Sequence, residues 1–197
     1  MSSPARRTRA DAGRNRARVL EVASELFAEH GDEVQMAEVA RAAGVGVGTV
    51  YRHFPTRVAL VEAVAERRFV EILAFARQRC LPEPDARRAL RCFLRHVGEV
   101  HERGRALSGA IEAALGHTAP LGTVRTELEA LGGALLERGK ADGVIRPDAT
   151  VGDLYMIVGA LAAVSRQDIG DWRRFVEIAL DGLEPSPDRN GPAAGTS

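Results

Sequence analysis

The sequence predicts an all-α fold: an N-terminal three-helix head carrying a helix-turn-helix, joined by a long fourth helix to a larger C-terminal helical body. Three observations carry this. Apolar residues recur at three- and four-residue spacing through almost every segment, and no run shows the sustained alternation of a half-buried strand. Residues 36 to 54 supply a short helix, a glycine-rich turn and a second helix with a polar face. Behind them a long helical run ends at LPEPD, residues 81 to 85, where two prolines mark a boundary.

The elements follow in order. A flexible basic arm is expected over residues 1 to 11, then helix 1 from about residue 12 to His30, where Val19, Val22, Ala23, Leu26 and Phe27 make one apolar stripe and Gly31 stops it. Helix 2 is short, about Met36 to Ala43, and buries Val39, Ala40 and Ala43. Helix 3 runs from about Val47 to His53; Pro55 blocks its continuation and Thr56 can cap helix 4. Helix 4 is expected from Arg57 to Arg79, with Val58, Val61, Ala65, Phe69, Ile72 and Ala76 on one face, a rod of roughly 35 Å. Further helices fit residues 85 to 103, 105 to 116, 120 to 141, 149 to 166 and 171 to 183. Gly143 follows the third of these, and Asp148 or Thr150 can cap the fourth. The end of the chain from 184 to 197 is rich in proline, glycine and small polar residues and reads as disordered. The domain division expected is therefore 1–11, 12–56, 57–183 and 184–197.

Composition narrows the function. Across 197 residues, 45% are hydrophobic and 27% charged, a globular balance. No stretch approaches the roughly 20 apolar residues that span a bilayer, and the N-terminus lacks the apolar core of a secretory signal, so the expected compartment is the cytoplasm and no membrane partner is expected. Net charge is zero, yet Arg6, Arg7, Arg9, Arg14, Arg16 and Arg18 face only Asp11 in the first eighteen residues, a local basic arm on a neutral chain. Cys80 and Cys92 are too few for a disulfide framework and read as reduced thiols, with a redox pair between them the minor alternative. His96 and His101 stand about 140° apart on a helix, and no metal or nucleotide motif appears, so no metal or cofactor is expected.

The helix-turn-helix has a chemical logic. Gly44 falls where the first helix must stop, and Val45 can pack between the two helices. At about 100° per residue, Val47, Val50 and Phe54 define a buried arc; Gly48, Thr49, Arg52 and His53 face outward, with Tyr51 on the margin. Gly48 lets the backbone approach a duplex, Thr49 suits a phosphate or a thymine methyl, and Arg52 reaches a guanine edge or a phosphate. Tyr51 and His53 can donate to phosphate while neutral, and Arg57 adds a cation at the start of helix 4.

Residues Val19 to Leu60, read as VLEVASELFAEHG and then MAEVARAAGVGVGTVYRHFPTRVAL, closely resemble the N-terminal domain of TetR-family regulators. The resemblance is carried by AGVGVGTVYRHF behind the L-F-x-x-x-G end of helix 1; GVIRPD at 143 to 148, followed by Asp153 and Leu154, matches the family's C-terminal layout. It implies a DNA-binding surface drawn from Gln35, Met36, Val47, Gly48, Thr49, Tyr51, Arg52, His53 and Arg57. Gly46 stands where many members carry Ser, Gln35 where Thr or Ser usually caps helix 2, and Arg57 where Lys is commoner. Val47 occupies a position that often contacts a base.

The resemblance further implies a C-terminal domain that binds a small-molecule effector and forms a homodimer. Candidate pocket residues are Phe69, Leu73, Phe93, Val97, His101, Ile111, His117 and Val124. Small residues on the 149 to 166 helix, Gly152, Met156, Gly159 and Ala163, and Trp172, Phe175 and Ala179 on the last helix, are the candidate dimer seam. The function expected is a non-enzymatic repressor that leaves a palindromic double-stranded operator when effector binds. An activator or ligand-independent regulator with the same head is the alternative, and an enzyme lacks any clustered nucleophile and base.

Overall fold

In the computed structural model, residues 4–167 and 169–185 are described, with side chains from Asp11 onward. The side chains at 6, 7 and 9, and all of the expected disordered tail 184–197 except residues 184 and 185, lie outside what is described. The helices are α1 (Pro4–His30), α2 (Met36–Ala43), α3 (Val47–His53), α4 (Arg57–Phe75), α5 (Ala86–Arg103), α6 (Arg105–Leu115), α7 (Gly122–Ala141), α8 (Val151–Gln167) and α9 (Trp172–Gly182). A 3₁₀ turn, Gly31–Glu33, follows α1, and a π-helical turn, Ala76–Cys80, follows α4. Among the described residues there is no strand, and no helix is long and apolar enough to cross a membrane.

Local chemistry explains most boundaries. Thr56 accepts from the Ala59 amide at 3.0 Å and starts α4. Thr150 and Asp153 form a reciprocal box: the Thr150 amide donates to Asp153 at 2.7 Å, and the Asp153 amide donates to the Thr150 hydroxyl at 3.2 Å. Asp171 accepts from the Arg173 amide at 2.8 Å to start α9. Two boundaries differ from expectation. α1 begins at Pro4 rather than near residue 12, because proline suits a first helical position and the Ala- and Arg-rich segment behind it consists of helix formers; the expected flexible arm is helical backbone from residue 4. α4 gives way to the wider turn at residue 76, where the Leu81 amide reaches back to the Ala76 carbonyl at 2.9 Å.

The chain groups into two compact units. The first joins residues 1–72 with 99–125, so the head shares its unit with most of α4 and with α6 instead of ending at residue 56. Its core takes Val19, Ala23 and Phe27 from α1, Val39 and Ala40 from α2, Val50 from α3, Leu60, Val61 and Val64 from α4, and Ala110 and Ile111 from α6. Val58, expected on the buried face of α4, is 47% exposed: it lies in the first turn, beyond the reach of that core. α6 packs on α1 and on the 3₁₀ turn so tightly that a β-carbon at Gly31 would lie 3.1 Å from the Ala106 carbonyl oxygen.

The second unit joins residues 73–98 with 126–197. Leu90, Leu94, Leu135, Leu136, Ile145, Leu161 and Leu180 fill it. Arg91 grips Glu177 with Nε and Nη2, at 3.0 to 3.1 Å, and Arg95 reaches the same carboxylate at 3.2 Å. Arg87 pairs with Asp181 and Glu184, so α5 and α9 are laced by ion pairs.

Candidate nucleic-acid interface

The turn is fixed by backbone bonds. Gly44 adopts φ +69°, a conformation that disfavours side chains; its amide donates to the Arg41 carbonyl at 3.2 Å, and the Val45 amide reaches the Ala40 carbonyl at 3.0 Å. Arg18 Nε donates to the Ala43 carbonyl at 2.7 Å and satisfies another open end of α2. Gly46 precedes α3 with extended backbone and no side-chain cap; the Thr49 amide bonds its carbonyl at 2.8 Å.

This turn presents α3 with two unlike sides. Val50 and Phe54 are buried at 0% and 2% exposure. Phe54 has left the helix, with φ −135°, and the Arg16 guanidinium lies 5.1 Å from its ring centroid. Arg16 and Arg18, expected as part of a basic arm, thus pack onto the head. Val47 does not join the buried arc: it is 46% exposed, because it sits in the opening turn and Phe54, no longer helical, fills the core in its place. The outward side comprises Val47, Gly48, Tyr51 and Arg52, with Thr49 and His53 half-buried at its margins. A β-carbon at Gly48 would meet nothing within 4 Å. Arg52 Nη2 lies 3.5 Å from the Thr49 hydroxyl, a contact too long to hold either group in place.

Three further expected contact residues are engaged by the protein itself. Met36 is 6% exposed, its side chain drawn into the core as the first apolar residue of α2. Gln35 is exposed, and its side-chain amide donates to the Glu33 carbonyl at 3.1 Å rather than capping α2. Arg57 is a buttress: Nε donates to the Val34 carbonyl at 3.1 Å, Nη2 to the Asp32 carbonyl at 2.7 Å, and the guanidinium pairs with the Asp32 carboxylate at 2.9 Å and lies 5.3 Å from the Phe27 ring centroid. Its fork faces the protein.

A helix-turn-helix with this outward face is matched across the chain by known regulators. Residues 19–64 match the family described as bacterial regulatory proteins, tetR family, and residues 85–185 match the C-terminal domain of SbtR-like transcriptional regulators. The chain belongs to the TetR family. The solved TetR transcription regulatory protein from Mycobacterium vanbaalenii is 38% identical, covering 90% of this chain and 99% of that one, with a TM-score of 0.63. A TetR regulator from Streptomyces coelicolor is 29% identical over 87% of this chain and 99% of its own, also at 0.63. RolR, solved with resorcinol, shares the fold at 24% identity and a TM-score of 0.65, covering 90% of this chain and 91% of RolR. An HTH-type transcriptional regulator of Staphylococcus aureus is 43% identical over 60 residues, 30% of this chain; the chain matches about a third, 32%, of that regulator's length. This is a non-enzymatic helix-turn-helix transcriptional regulator.

In this TetR-family chain the expected pocket residues are divided between the two units. Phe69, His117 and Val124 line an open cavity of about 630 Å³ in the first unit, together with His53 and Phe54 of the head and with Glu62, Glu66 and Arg16. His117 Nδ1 is buried there without a hydrogen-bond partner among the described residues. Ile111 is plain core. His101 is buried against Arg68, whose Nη2 lies 2.6 Å from its Nδ1. Leu73, Phe93 and Val97 are buried residues of the other unit.

The expected dimer seam is largely exposed in the single chain. Gly152, Gly159 and Met156 face solvent, Met156 at 67%, while Ala163, Phe175 and Ala179 are half-buried. Trp172 is the exception: it is 4% exposed and packs on Gly98 within its own unit, so it is core rather than seam. Ile178, absent from the expected set, is 53% exposed and joins Met156 and Phe175 along a groove of about 470 Å³. The period that placed Phe175 and Ala179 on one side also carries Ile178 there, three residues after Phe175.

Proposed function

We propose that this TetR-family chain is a homodimeric repressor that holds a near-palindromic operator with two α3 helices in successive major grooves and leaves it when a small molecule binds. The observation that carries the reading is the two-sided α3: Val50 and Phe54 lock it to the core while Val47, Gly48, Tyr51 and Arg52 stand clear. A helix read by a groove needs that division. Tyr51 and His53 are the phosphate contacts, and Arg52 and Val47 meet base edges.

Release is supported by the cavity that His53 and Phe54 share with Phe69, His117 and Val124. A ligand there touches the end of the recognition helix directly, and two heads must keep a spacing of roughly 34 Å to fit adjacent grooves, so a small displacement suffices. One fold relative, RolR, is described with its ligand resorcinol. The exposed Met156, Phe175 and Ile178 supply an apolar face for a second copy. The cytoplasm is the compartment such a regulator needs.

The test begins by genomic footprinting to recover a bound site. Tyr51→Phe combined with His53→Ala should abolish binding in a gel-shift titration while light scattering still reports the dimer. Unchanged affinity for the footprinted site would refute the assignment.

A further inference from the structure

Arg68 is an anomaly in the first unit. It is 7% exposed, and its two ordinary hydrogen bonds go to neutral groups: Nη1 donates to the Ser108 hydroxyl at 2.8 Å and Nη2 to His101 Nδ1 at 2.6 Å. Nε is buried with no partner, and among the described residues no carboxylate pairs with the guanidinium. Burial lowers its pKa to about 10, so at neutral pH a full positive charge remains in the interior. A buried cation without a counter-ion is heavily penalised, whereas bonding Ser108 and His101 needs only a neutral donor. The permanent charge is therefore unexplained by the fold.

A cavity of about 220 Å³ adjoins it. Ser24 and Ala28 of α1, Val64 of α4, and Val100 and Leu107 form its small and apolar walls; the charged groups facing it are Arg67, Arg68, Arg103 and Glu71. Glu71 is bonded to Arg67 at 2.9 Å, which leaves Arg68 and Arg103 as the charges a guest would meet. Gly104 lines the cavity beside the guanidinium, where a β-carbon would stand 3.8 Å from Arg68 Nη1, in ordinary contact.

We propose that this second cavity binds a small organic monocarboxylate, whose carboxylate pairs with Arg68 and whose short apolar body lies against Val64, Val100 and Leu107. A planar guanidinium fork matches a carboxylate, and the apolar walls favour a guest with a hydrocarbon part over inorganic phosphate. α1 of the head forms one wall, so occupancy bears on the helix that supports the helix-turn-helix. That consequence for DNA rests on the repressor reading; the binding itself does not.

The experiment is calorimetric titration of the full chain, free of DNA, with benzoate, with benzamide as its uncharged isostere, and with inorganic phosphate. Benzoate is expected to bind and to raise the thermal midpoint, with benzamide and phosphate at least tenfold weaker. Arg68→Met should remove the benzoate response. If that variant fails to fold, Ser24→Leu fills the cavity from the α1 side without touching Arg68, and should abolish binding as well. Equal binding of benzamide, binding of phosphate alone, or benzoate affinity unchanged in these variants overturns the proposal. A gel shift of the footprinted site with and without benzoate then reads the repressor hypothesis separately.

Discussion

The indole of Trp172 lies directly on Gly98: a β-carbon built at Gly98 would fall 2.3 Å from ring carbon Cε3 and 2.5 Å from Cζ3. A ring held in a packed interior has nowhere to yield, so Gly98→Ala should destabilise the protein by about 1–3 kcal/mol. Trp172 is the single tryptophan of the chain, which makes its fluorescence a direct reporter. Urea denaturation followed at that signal should show both an altered native spectrum and a lower midpoint.

Arg57 ties α4 to the segment before α2 through the Val34 and Asp32 carbonyls. Arg57→Met should lower the stability of the DNA-free protein by about 1.5–3 kcal/mol, the range for hydrogen bonds that involve a charged group. Lysine should fail to restore it, since one ammonium cannot reproduce the fork. A residue serving only phosphate would weaken operator binding and leave the thermal midpoint untouched.

Gly48 separates two effects that usually travel together. It lies within α3, faces open space, and has no steric reason to be glycine in the free protein. Gly48→Ala should therefore stabilise the head by about 0.5–1 kcal/mol. Under the proposed docking the new methyl group stands between backbone and duplex, so operator affinity should fall. A gel shift showing equal or tighter binding would remove the close approach from the account.

Cys80 and Cys92 are free thiols, and the Cys80 sulfur donates a hydrogen bond to the Cys92 sulfur at 3.3 Å. Burial of Cys80, with the hydrogen bond to Cys92 and that neighbour's charge, pushes its thiol up to about 12. A folded-state value above the unfolded one means a contribution present at neutral pH and lost as pH climbs from about 9 toward 12. Iodoacetamide at pH 8 should leave Cys80 unmodified until the chain unfolds. The alkaline loss of stability should be shallower in Cys80→Ala than in the parent, measured as urea midpoints across that window.

The outline of this fold was legible because periodicity and caps agree. Thr56 and Thr150 sit where short polar side chains end a loop, and α4 and α8 start directly after them. The failures have a common cause: helical angles assume the helix continues. Val47 has barely entered α3 and Val58 has barely entered α4, so a wheel drawn through either misplaces it, whereas Phe54 is buried as expected although it has left the helix. Trp172 and Met36 are apolar residues taken up by the core of their own unit, Trp172 against Gly98. Arg57 and Gln35 carry polar groups that local carbonyls captured. Arg68 was missed as a buried group although a signal existed: it lies seven residues after Val61 and four before Ile72, on the apolar stripe of α4. Residue type argued for the surface, and position argued against it.

The exposed groove of α8 and α9 gains meaning from the chain's neutrality. With 27 basic and 27 acidic residues, net charge is zero at neutral pH, and in the second unit Arg87, Arg91 and Arg95 already cancel against Glu177, Asp181 and Glu184. In the proposed dimer no long-range Coulomb barrier keeps two copies apart, so an encounter through Met156, Phe175 and Ile178 would run at a rate set by diffusion and fit rather than by ionic strength.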